Sequence, residues 1–248
     1  MNLRDLINRV IGTPKSRWDE KTAKYGWAEV SAESARLIFE EIVAEDLSKL
    51  GFTIIKPFLL GRPVDKDIIQ LIKLKRVKGI SYILMWGVSL SFVPHRWDSK
   101  VEWHRTLKSA HFDLFEQGLS AEREADSRIR PTDPEPYVDW LRGNACFNDD
   151  LVRVWGALRP HIMQWWDTGR TLEDLLGIAR RQEELHWRSF RHFPPQELVI
   201  ACILARHGRL EESEEYFEQS ADGLSRLPGD FDKLRSAVLS IQPVGKRE

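Results

Sequence analysis

The chain has few of the features that staple a protein, carry it through a membrane or mark a catalytic motif. It has two cysteines in 248 residues, Cys146 and Cys202, and no Cys-x-x-Cys. Two thiols cannot staple a chain this long, so the sequence predicts reduced, packed cysteines and a cytoplasmic protein. No apolar run reaches the roughly 20 residues that cross a bilayer. Residues 1–12 lack the apolar stretch and small-residue cleavage site of a secretory leader, so no membrane is expected among the partners. Charge of one sign is missing too: the net charge is -1, which removes any global field toward nucleic acid or acidic lipid.

Motifs for chemistry are equally scarce. There is no Gly-x-Gly-x-x-Gly, Gly-Lys-Ser/Thr, Gly-x-Ser-x-Gly or His-Glu-x-x-His. Glu183 and His186 make one Glu-x-x-His, whereas a di-metal bundle needs two. His95, His104 and His111 match no ligand spacing. Paired carboxylates at Glu40-Glu41, Asp149-Asp150 and Glu183-Glu184 point about 100° apart on a helix and suit solvated faces. No catalytic residue, metal ligand or cofactor is therefore assigned.

What the chain does have is a globular composition, 42% hydrophobic and 30% charged, enough to bury a core. Ten tryptophans are expected mainly in packing. Residues 1–12 carry a short helical spacing, and residues 15–27 suit a loop. Ser31 caps a helix that Gly51 ends, with Leu37, Ile38, Ile42 and Leu47 on one face. The period then changes from 3.6 to 2. Strands are expected at residues 52–60, 68–77 and 81–93, with a turn at Lys78-Gly79 and a shorter strand at 110–116. In 81–93, Tyr82, Leu84, Trp86, Val88, Leu90 and Phe92 share one apolar face. Ser81, Met85, Gly87, Ser89 and Ser91 make the other, with Ile83 an apolar exception, and that face is expected to be more open.

Residues 122–136 are charged and Pro-rich and suit a linker. They divide the chain into a sheet domain (1–121) and a helical region (137–248). Helices are expected at 149–168, where Pro160 should kink or break the run, then 171–186, from Pro194-Pro195 to His207, 209–227 and 231–241. The predicted fold class is α+β: a small antiparallel sheet with a packed helix, followed by a helical region that ends in a hairpin.

Charge is segregated locally. Residues 49–108 hold twelve basic and four acidic residues, an excess of eight. Lys73, Lys75, Arg76 and Lys78 crowd one strand and its turn and are the candidate partner-binding residues. Residues 209–222 hold one basic and six acidic residues. Such charges either solvate a sheet edge or steer a partner of opposite sign.

Two resemblances follow from residues already named. Leu50-Gly51-Phe52, Gln70 and Gly87-Val88-Ser89-Leu90 resemble a bacterial domain family of unknown function over residues 50–94. Some of its relatives look like immunity proteins encoded beside toxins. Ala201, Gly208, Ser213, Phe217 and Ser220 resemble a single tetratricopeptide repeat over residues 197–225, and one copy cannot build a peptide groove. The resemblance and the segregated charge imply an interaction protein of the immunity or antitoxin kind, with a protein partner such as a toxin. The alternatives are a nucleic-acid-binding module using the basic strand, or an enzyme whose site is not visible as a motif.

Overall fold

The computed structural model describes residues 24–77, 81–97, 100–103, 106–117, 137–184, 194–224 and 231–244. The predicted helix at 1–12, the Lys78-Gly79 turn and the linker at 122–136 lie outside them.

Ser31 accepts from the Ser34 amide and opens α1, which runs through Ala32–Phe39, a π turn at Glu40–Ala44 and Glu45–Ser48. Its buried residues Ala35, Phe39, Val43 and Leu47 are spaced by four. On a regular helix that spacing drifts about 40° per step. The wider turn, closed by Glu45 N–H on the Glu40 carbonyl, absorbs part of the drift and keeps the stripe on the core. Gly51 then takes φ +86°, which a glycine adopts without steric cost.

The sheet is antiparallel, in the order β1 (Thr53–Lys56), β2 (Leu59–Pro63), β3 (Ile68–Arg76), β4 (Ser81–Leu90), β7 (Leu114–Gln117). β8 (Tyr137–Asp139) shares β7's edge of β4, pairing with residues Ser81 to Ile83. A separate ribbon joins β5 (Pro94–Trp97) to β6 (Lys100–Trp103). Residues 52–60, expected as one strand, are instead a hairpin. Pro57 has no N–H for a ladder, and Phe58 turns the chain with φ +65°. The ribbon and β8 were not foreseen, because each is too short to show a clear alternation.

The face of β4 expected to be open is closed. Leu59, Ile69, Leu71, Met85, Ala110 and Phe112 form a small second core there, with Ile55, Leu107 and Phe115 packed against it. The crossing segment around the short helix Leu107–Ser109 covers this side. Ser89, fully buried, accepts from the His111 amide at 3.1 Å. Alternation located the two faces but could not reveal a loop that returns over one of them.

The main core lies on the other face, beneath α1 and the helical region. α2 (Gly143–Thr168) is continuous through Pro160. Gly156, whose carbonyl Pro160 cannot bond, is exposed, so water can take the acceptor and the helix need not break. α3 (Leu172–Glu184), α4 (Gln196–His207), α5 (Leu210–Leu224) and α6 (Phe231–Leu239) complete the chain. α4 is buried all round from Leu198 to Ala205. Gly208 turns at φ +81°, and buried Ser213 on α5 donates to the Ala201 carbonyl at 2.8 Å. The small residue brings the helices of the hairpin together. The chain is thus an α+β protein with a helical C-terminal region. Among the described residues no helix is long and apolar enough to cross a membrane.

Candidate functional site

The basic residues of β3 divide by strand alternation. Lys73 and Lys75 share the face of the small core, and Arg76 points the other way. Directly opposed residues in a sheet share a face. Lys56 on β1 opposes Leu59, Leu59 opposes Lys73, Lys73 opposes Met85, and Met85 opposes Gln117. A parallel row runs from Lys75 through Ile83 to Tyr137. Lys56, Lys73 and Lys75 therefore stand together at one end of one face. Lys56 joins from 17 positions earlier in the chain, and sequence reasoning missed it because the Pro57-Phe58 hairpin was not recognised.

The expected tip exposure is only partly realised. Lys56 is exposed, whereas Lys73 and Lys75 are half-buried. Burial pushes the Lys75 ammonium below its ordinary value, and the neighbouring Lys73 charge adds to the effect. Arg76 is exposed, and its guanidinium lies 4.0 Å from the centre of the Trp140 ring on the opposite face. Lys78 lies outside the described residues.

Leu50, Gln70 and Gly87 hold the fold together. Arg62 on β2 donates to the Gln70 amide oxygen and, at 2.8 Å, to the Leu50 carbonyl at the end of α1. Gln70 is buried and faces Val88 across the sheet. Its side-chain nitrogen reaches the Trp166 carbonyl at 3.5 Å. The Trp166 indole in turn donates to the Gly87 carbonyl at 3.2 Å. Leu50, Gln70 and Gly87 thus form one chain of ties between α1, the sheet and α2.

Other buried polar groups do similar work. Asp113 accepts from the Leu90 amide at 2.6 Å and from His95 Nε2 at 2.7 Å, so the carboxylate binds the ribbon to β4. The His111 ring lies 4.7 Å from that of His95. Arg142 donates to Asp139 at 2.6 Å, while Asp150 takes the Asp139 amide and Arg153. Asp46 accepts from Trp155 and Arg159, joining α1 to α2. Among the described residues no three His, Cys, Asp or Glu side chains are grouped to hold a metal. His104 and His186 lie outside them.

Comparison with protein-family models, curated proteins and solved structures found no match. The fold and this surface therefore describe an α+β protein with a basic sheet end, and they carry the functional reading alone.

Proposed function

We propose that the chain is a cytoplasmic interaction protein that binds an acidic protein partner through Lys56, Lys73 and Lys75. The observation that carries this is their gathering, from two strands, on one face of one sheet end. Ammonium groups gathered on one face repel one another, and an anionic partner docking there is steered by and offsets that repulsion. Cys146 and Cys202 are buried and form no disulfide, which suits a reducing compartment. The resemblance of residues 50–94 to a family with immunity-like relatives makes a toxin the first partner to seek.

A nucleic-acid ligand is the second reading, favoured by exposed Arg76, which adds a further cation at the same sheet end for phosphate contacts. The test is affinity purification from the native host with wild type and a Lys56→Glu, Lys73→Glu double variant. Lys75 is kept because burial already disfavours its charge. Substitution at exposed Lys56 costs about 0.5 kcal/mol or less, and a melting curve of the double variant checks that half-buried Lys73→Glu still folds. An acidic protein captured by wild type, resistant to nuclease treatment and lost by the variant or at high salt, supports the first reading. Capture abolished by nuclease supports the second. Equal capture by both chains overturns the first reading, and an absence of nuclease-sensitive capture by wild type overturns the second.

A further inference from the structure

On the opposite face of the sheet from Lys73, a second set of polar side chains converges. Glu116 on β7 opposes Trp86 on β4, and its carboxylate is only 12% exposed. Trp165 Nε1 donates to Oε1 at 3.0 Å. His161 Nε2 stands 3.2 Å from Oε2, and Arg181 Nη2 lies 3.6 Å from Oε1. α2 supplies His161 and Trp165 one turn apart, and α3 supplies Arg181. Gln182, next to Arg181, donates to the Phe115 carbonyl at 2.9 Å and so fixes α3 against β7.

An ionised carboxylate only accepts hydrogen bonds, so the nitrogen of His161 that faces it carries the hydrogen. In the neutral ring Nδ1 is then an acceptor. The side chains of His161 and Arg181 are 55% and 57% exposed. One mostly buried carboxylate therefore holds a ring acceptor and a guanidinium side by side at the surface. Trp86 lies beneath, its ring edge-on to His161 with centroids 5.6 Å apart. The indole N–H of Trp86 is buried and has no hydrogen-bond partner among the described residues.

We propose that Glu116, His161 and Arg181 form a binding site for a small hydroxylated oxyanion. Arg181 takes the carboxylate or phosphate through its planar fork of donors. His161 Nδ1 accepts from the neighbouring ligand hydroxyl, and Glu116 orients both groups. The site shares no residue with the basic sheet end, so the two proposals fail separately.

The test titrates the full chain with glycolate and with glycerol 3-phosphate at constant ionic strength. Acetate and inorganic phosphate serve as the partners lacking the carbon-borne hydroxyl. The His161 ring resonances, assigned with His161→Gln, report binding. One hydroxylated anion should shift them saturably, and which one does so distinguishes a carboxylate from a phosphate ligand. Its partner lacking the hydroxyl should bind about tenfold more weakly, the effect of a lost hydrogen bond of about 1.4 kcal/mol. Arg181→Gln should abolish the shift without changing the melting temperature, and Lys73→Glu should leave it intact. No saturation by either hydroxylated anion overturns the site, as does saturation that survives Arg181→Gln. Equal binding of acetate or phosphate overturns the role of His161 and with it the proposed ligand class.

Discussion

Arg206 on α4 donates to the Asp67 carboxylate, in the turn before β3, at 2.6 Å, and both side chains are largely buried. Asp67 also accepts from the Ser91 hydroxyl at 2.9 Å, just beyond β4. Arg206 donates as well to the Gln242 carbonyl after α6. One ion pair therefore connects the far end of the sheet, the central helix and the C-terminal segment. Removing one partner leaves the other desolvated. Asp67→Asn should cost about 3 kcal/mol, measured by urea denaturation. Sheet and helices should still unfold together, with tryptophan fluorescence and far-UV circular dichroism giving one midpoint. Separate midpoints in wild type would show that this pair does not couple the two halves.

Two glycines give opposite predictions. A Cβ at Gly87 would lie 2.0 Å from the Leu114 carbonyl oxygen and 2.7 Å from Phe115 Cα. Both atoms are backbone, so β7 must move. Gly87→Ala should destabilise by about 3 kcal/mol. Gly156 sits in exposed helix with nothing within 4 Å of the added carbon. Gly156→Ala should stabilise by about 0.5–1 kcal/mol. Melting temperatures that move in the same direction would contradict this account of β4 and α2.

Trp86 separates packing from hydrogen bonding. Its ring is buried in the main core, but its N–H is unbonded. Trp86→Ala should cost about 3–5 kcal/mol through lost contacts and the cavity left behind. Trp86→Phe removes the unmade donor with part of the volume, and the two changes offset. It should cost less than about 1.5 kcal/mol. A phenylalanine variant as unstable as the alanine variant would mean that the N–H has a partner in solution.

Acid should weaken the fold through His95. Burial pushes its imidazole down to about 4, below the ordinary value near 6.5. The unfolded chain therefore takes up a proton first as pH falls. Stability present above pH 6.5 is lost between about 6.5 and 4, with a ceiling of about 3 kcal/mol. The Asp113 carboxylate at 2.7 Å favours the charged ring and reduces that loss. His95→Gln should flatten the stability profile over this interval. A wild-type profile that rises toward pH 4 would reverse the assignment and make the His95–Asp113 contact an ion pair.

Local chemistry in the sequence determined the capped helix ending at Gly51, the alternation of β3 and β4, the Gly208 hairpin and the α+β class. Each depends on contacts within a few residues or on a single period. The same alternation placed Lys73 and Lys75 on one face of β3 and Arg76 on the other. Tertiary structure alone decided which lysine from β1 joins them, because register depends on a two-residue turn whose Phe58 adopts an unusual backbone angle. It also decided that the second face of β4 is covered, that Pro160 is tolerated, and that Gln70 and Gly87 are ties between α1, the sheet and α2. Glu116, His161 and Arg181 lie on three elements, 45 and 20 residues apart in the chain. No spacing rule links them, since packing of α2 and α3 against β7 brings them together, and the free energy of that packing is distributed over the whole core.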